Sequence, residues 1–136
     1  MKIQTFSVVV GTNACNARCP YCVARMTPGK EAVKEAGYIA WRNFGKACSL
    51  CERNNVSTAL ITGKGEPTLY PAQVTQYVAA LAPRFPFVEL QTNGLRIEKM
   101  KDQYLDWYKT GLNTVGVSIV HWKDECNSVV MNATIP

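Results

Sequence analysis

Four short β-branched runs, each closed by a turn signal and separated by helical stretches, leave this chain few ways to fold. Phe6-Ser7-Val8-Val9-Val10 ends at Gly11, and Thr58-Ala59-Leu60-Ile61-Thr62 ends at Gly63. Phe87-Val88-Glu89-Leu90-Gln91 runs into Thr92-Asn93-Gly94, and a fourth run covers Thr114 to Val120. Such runs read as buried strands. Lys30 to roughly Asn54 places Val33, Ala36, Ala40, Phe44, Ala47 and Leu50 near a helical period. Ala72 to Ala82 gathers Val74, Tyr77, Val78 and Leu81 on one side. Lys101 to Thr110 does the same with Tyr104, Leu105 and Tyr108, and Gly111 supplies a stop. Strands that alternate with helices pair in parallel through crossover connections, so the class is α/β. An open doubly wound sheet and a segment of a (β/α) barrel both satisfy the pattern.

In either architecture, binding groups collect where strands end and helices begin. The chemically active residues of this sequence fall at those places. Thr12 to Cys22 follows the first strand, Gly63-Lys64-Gly65-Glu66-Pro67 the second and Thr92-Asn93-Gly94 the third. Ser118 and His121 lie at the end of the fourth. The length of 136 residues suits one domain. No apolar run reaches the roughly 20 residues of a membrane helix, and none near the start resembles a secretory leader. The sequence therefore predicts no membrane association and a reducing, cytoplasmic setting. The net charge of +5 is mild and suits an anionic ligand as readily as a solvated surface.

Six cysteines in so short a chain ask for an explanation. A disulfide scaffold is one reading, but Cys15, Cys19 and Cys22 fall within a single short loop, which is a metal-site habit. Their spacing is C-x3-C-x2-C. A closed zinc site wants four protein ligands, for which Cys48, Cys51 or His121 would have to complete the set. A [4Fe-4S] cluster takes one outer ligand per iron, so three cysteines leave one iron open to a small chelating molecule.

The loop resembles the cluster-binding signature of the radical S-adenosylmethionine (radical SAM) enzymes, with Tyr21 as the aromatic before the third cysteine. That resemblance implies a partial (β/α)6 barrel, of which about four β/α units are visible and the C-terminal part is lacking. It implies a [4Fe-4S] cluster on Cys15, Cys19 and Cys22, with S-adenosylmethionine on the open iron. It also implies reductive cleavage of that cofactor to a 5′-deoxyadenosyl radical, which takes a hydrogen atom from a substrate. Gly63-Lys64-Gly65-Glu66-Pro67 is similar to the family's Gly-Gly-Glu-Pro motif, with Lys64 inserted between the glycines. A phosphate loop is excluded because no Lys-Ser/Thr ending follows. Gly63, Gly65 and Glu66 are thereby expected to seat the methionine end, the Glu66 carboxylate serving the cationic amine. Asn93 and Ser118 are expected to address the ribose and Tyr21 to lie near the adenine. For Asn93 the competing expectation is a plain turn in which Asn and Gly supply positive φ.

Other residues draw blander readings. Cys48 and Cys51 share one helix face and read as small hydrophobes rather than ligands of an auxiliary cluster. Cys126 reads as a free thiol, and Trp41 and Trp107 as packing residues. His121 is either a substrate-side acid or base or a loop residue, and no catalytic side chain is assigned. From Lys123 to Pro136 no further strand–helix unit is expected. The fourth strand would then stand open, with Val115, Val117 and Ile119 uncovered on one side. Self-association, or pairing with a missing C-terminal half, follows as the expected remedy. A reductant such as flavodoxin or ferredoxin is the implied partner. The alternatives to the enzyme are a truncated, non-catalytic cluster- or metal-binding module and a small zinc-dependent nucleic-acid-binding domain.

Overall fold

The computed structural model describes residues 3–26 and 38–133. Four strands, β1 (Thr5–Val10), β2 (Thr58–Gly63), β3 (Phe87–Thr92) and β4 (Thr114–Val117), form one sheet in the order β1-β2-β3-β4. Every neighbouring pair is parallel. Among the described residues five α-helices accompany them: α1 (Val23–Met26), α2 (Trp41–Arg53), α3 (Pro71–Leu81), α4 (Lys101–Thr110) and α5 (Asp124–Met131). The α/β class and the alternation of strand and helix are as the sequence implies. The arrangement is that of a partial β/α barrel.

Registration explains where the core lies. Val8 pairs with Ile61, Ile61 with Leu90 and Leu90 with Val115, which places these four side chains in one row on one face. Val10, Ala59 and Val88 belong to the same face, and α2, α3 and α4 contribute residues to the core it covers. Val74, Tyr77, Val78 and Leu81 of α3 are all buried, as their spacing predicts. The opposite face carries Ser7, Thr62, Glu89, Gln91 and Gly116, and it is far more polar. β1 is therefore not buried on both sides, since Val9 on that second face stays exposed.

Several helix expectations need correction. Of the stretch expected to be helical from Lys30, residues 30–37 lie outside the described set, residues 38–40 are non-helical, and α2 starts at Trp41. Ile39 is buried in the core from a non-helical segment and anchors the chain ahead of α2. The inward face of α2 is Phe44, Cys48 and Cys51, whereas Leu50, assigned to the apolar stripe, is exposed. Cys48, at 0% exposure, behaves as a core hydrophobe. On α4, Leu105 and Tyr108 are 50% and 69% exposed, and fully buried Trp107 takes the inward position beside Tyr104. Trp107 also donates its indole N–H to Thr75 Oγ1 at 2.8 Å, which ties α4 to α3. Gly111 ends α4 at φ +124°, where an added Cβ would meet that of Ala82 at 2.5 Å.

The C-terminal region departs furthest from expectation. β4 stops at Val117 rather than Val120, so Ser118 lies one residue past it. Val115 and Ile119 are 38% and 68% exposed, in keeping with an edge that nothing in the described structure covers. Beyond it the chain forms α5, which the sequence reading did not foresee. Its buried Asn127 accepts hydrogen bonds from the amides of Val120 and His121 and donates to the His121 carbonyl. A single asparagine thus fastens the helix back onto the end of β4. No helix among the described residues is long and apolar enough to cross a membrane.

Candidate functional site

The C-terminal ends of the four strands open onto one cleft of about 540 Å³. That volume lies within the range of roughly 300–1,000 Å³ usual for small-molecule sites. Cys15, Cys19, Cys22, Tyr21, Gly63, Gly65, Glu66, Asn93 and Ser118 all line it. These residues come from four separate strand ends, up to 103 positions apart in sequence (118 − 15). His121 is not among the lining residues. Its Nδ1 instead accepts the amide of Lys123 at 3.0 Å, a loop role.

The cysteine loop is shaped by its own backbone. Thr12 Oγ1 accepts the Ala14 amide at 3.1 Å and pairs with Tyr70 Oη at 2.5 Å, which fixes the loop's departure from β1. The Cys22 amide donates to the Cys19 carbonyl, and the Cys22 carbonyl accepts from Arg25 and Met26, so Cys22 starts α1. Cys15 Sγ accepts the Ala17 amide at 3.4 Å and lies 3.7 Å from Asn93 Nδ2. Burial pushes the Cys15 thiol up from its ordinary range, and the negative charge of Glu66 adds to this. The hydrogen bonds from Ala17 and Asn93 act in the opposite direction. From the far side, the Met131 carbonyl at the end of α5 accepts the Arg18 amide at 3.0 Å and the Cys19 thiol at 3.6 Å. Nothing in the sequence marked Met131 for this contact.

All six cysteines are free thiols. Among the described residues no three His, Cys, Asp or Glu side chains are placed to hold one metal ion. The three loop thiols share one wall of the cleft without converging on a point. Cys48 and Cys51, the proposed completing ligands of a zinc site, belong to the core under α2 rather than to the cleft. The donor set, three thiols on a loop beside a cleft, matches a cluster that takes one thiolate per iron.

Glu66 lines the cleft with little of its surface open. It is only 2% exposed, and Oε1 accepts from the Thr68 amide (2.9 Å), Thr68 Oγ1 (2.6 Å) and Thr92 Oγ1 (2.7 Å). Oε2 accepts the Asn93 amide at 2.9 Å. The carboxylate therefore ties the second strand end to the third and is engaged by neutral donors of the chain itself. Charge-assisted bonds of this kind are the strong ones. Oε2 takes a single donor and so keeps acceptor capacity. Thr68 and Thr92, both buried, are the partners that strand-by-strand reading passed over.

Gly65 is required by packing. A Cβ there would stand 1.9 Å from the Ala14 carbonyl oxygen. The Gly65 and Glu66 amides donate to the Thr12 and Ala14 carbonyls at 3.0 and 2.9 Å, so the turn is zipped to the cysteine loop. Gly94 supplies the positive φ of the third turn, +79°, and Asn93 does not share it. The Asn93 amide group instead donates to Asn16 Oδ1 at 2.7 Å, reaching back to the cysteine loop. Ser118 donates its amide to the Thr92 carbonyl at 2.9 Å, which carries the ladder one step past β4. Strand alternation sets its side chain opposite Val117, and it lines the cleft. Tyr21 is half-exposed on the same wall.

Residues 9–135 match the family model described as the Radical SAM superfamily. The chain belongs to this superfamily. Radical SAM proteins typically use a [4Fe-4S] cluster and S-adenosylmethionine, and the cleft presents the cysteines and strand-end turns such groups require. The chain is also 33% identical over 101 residues to a 7-carboxy-7-deazaguanine synthase of Hyperthermus butylicus. That match takes in 74% of this chain and 40% of the relative, so the chain spans well under two thirds of the relative's length.

Proposed function

We infer that this chain is the cofactor-binding part of a radical SAM enzyme. The observation that supports the reading best is the meeting of the three loop cysteines with the second, third and fourth strand ends on one cleft. In this reading Cys15, Cys19 and Cys22 hold a [4Fe-4S] cluster through their thiolates. The zipped turn Gly63–Glu66 offers backbone carbonyls to the ammonium of S-adenosylmethionine. Glu66 acts through the groups it holds, keeping Thr92 and Asn93 at a fixed distance from the turn. Asn93 and Ser118 address the ribose, Asn93 exchanging its bond to Asn16 for one to a hydroxyl, and Tyr21 flanks the adenine. When bound, the cluster and cofactor supply a one-electron cleavage of the sulfonium and an acceptor for a substrate hydrogen atom. The electron comes from a protein reductant of the flavodoxin or ferredoxin kind. The relative from Hyperthermus butylicus is, by its name, a synthase of a carboxylated deazaguanine, which favours a small heterocyclic substrate over a polypeptide.

The test is reductive cleavage. The chain is loaded anaerobically with iron and sulfide, reduced with dithionite and given S-adenosylmethionine. Chromatographic detection of 5′-deoxyadenosine above the level of a protein-free control is the expected result. A loaded cluster with no 5′-deoxyadenosine would reduce the chain to a binding module.

A further inference from the structure

The side chain between the two glycines of the second turn has no part in the function proposed above. Lys64 is exposed and lines the cleft. Its backbone is held from both sides. A Cβ on Gly63 would stand 2.9 Å from the Gly65 carbonyl oxygen, and the Gly65 amide is bonded to Thr12. Neither neighbour can shift without opening the turn, so the Lys64 Cα is fixed and its side chain is the only adjustable part. The charge around it is unbalanced. Among the described residues Lys64 is the only lysine or arginine lining the cleft, and it belongs to neither of the ion pairs, Arg84–Glu52 and Lys101–Glu98, which lie away from the cleft. The Glu66 carboxylate, the only one on the cleft wall among the described residues, is already engaged by four neutral donors. The remaining polar side chains on the wall include Gln91 and Ser118, which are uncharged. An unpaired ammonium on a rigid turn inside a cleft attracts an anion, and lysine does so as a compact point charge.

We propose that Lys64 is a specificity-determining residue that selects small substrates carrying an anionic oxygen group, a carboxylate or a phosphate. The proposal rests on the reading of this cleft as the radical SAM site and adds to it a substrate class. A lysine serving only as a solvated residue of a tight turn would leave ligand preference unmoved by its removal.

The experiment uses the full chain loaded with its cluster and saturated with S-adenosylmethionine, and reads binding by equilibrium dialysis. The probes are two matched pairs. Nicotinate against nicotinamide isolates a carboxylate, and nicotinamide mononucleotide against nicotinamide riboside isolates a phosphate. At least one anion is expected to bind about tenfold tighter than its neutral partner. K64Q is expected to bring that ratio to within about twofold, and K64R to keep it. The pair that responds names the anionic group. Equal binding within both pairs in the wild-type chain overturns the proposal, and so does a preference that survives in K64Q. A preference present without S-adenosylmethionine and lost when it is added also overturns it, because the lysine then serves the cofactor's own carboxylate. Iron content and 5′-deoxyadenosine release of the same wild-type preparation report on the underlying functional reading. Normal values there, with no anion preference, would sink the lysine assignment alone.

Discussion

Replacing Cys22 with alanine is expected to lower bound iron from about four per chain to below about one and to bring 5′-deoxyadenosine release to background. The argument turns on separating the thiol from the backbone it sits on. Cys22 starts α1 through its main chain, by the amide bond to Cys19 and the carbonyl bonds to Arg25 and Met26. Alanine keeps all of these and removes only the sulfur. The thiol is half-buried and makes no hydrogen bond among the described residues, so the metal-free fold should change in stability by no more than about 0.5 kcal/mol. Cys48→Ala is the matching control. It removes a fully buried core sulfur, should cost about 1 kcal/mol in urea unfolding, and should leave iron content unchanged. Iron retained in Cys22→Ala, or lost in Cys48→Ala, would place the cluster elsewhere.

Glu66→Ala is expected to destabilise the metal-free chain by about 3–5 kcal/mol, read by urea unfolding. Four donors converge on this carboxylate, and alanine would leave them without a partner in a site only 2% exposed. Water cannot replace the lost acceptor without opening the junction between the second and third strand ends. Glu66→Gln is the informative companion. Its carbonyl can take over the three bonds of Oε1, while its amide opposes the Asn93 N–H, so a smaller loss of about 1–3 kcal/mol is expected. A Glu66→Ala cost below about 1 kcal/mol would mean that the carboxylate does not hold the strand ends together and has its role toward a ligand after all.

Much of this organisation could be read from the residues in order. β1, β2 and β3 were recognisable because β-branched runs meet abrupt glycine or asparagine stops, which is local information. α3 and α4 kept their predicted spans within a residue for the same reason. The faces of the helices were less legible. Leu105 and Tyr108 fit the apolar period of α4 as well as Trp107 does, and only the packing of α4 against the rest of the core decides which one turns inward. α5 went unseen because its anchor, Asn127, is a polar residue that matters only once Val120 and His121 present unpaired amides to it. The site residues were identifiable because each directly follows a strand. The inward turn of Glu66 was not, since Thr68 and Thr92 become its partners only after β2 and β3 pair. The same holds for Met131, which reaches Cys19 across 112 positions of sequence.

The central claim is that the three loop cysteines hold an iron–sulfur cluster rather than a single ion or nothing. Its most direct test is the metal and sulfide content of the chain after anaerobic reconstitution and desalting. The account predicts iron and acid-labile sulfide each near about four per chain, with zinc at trace level. About one zinc per chain without sulfide, or no retained metal at all, would contradict it.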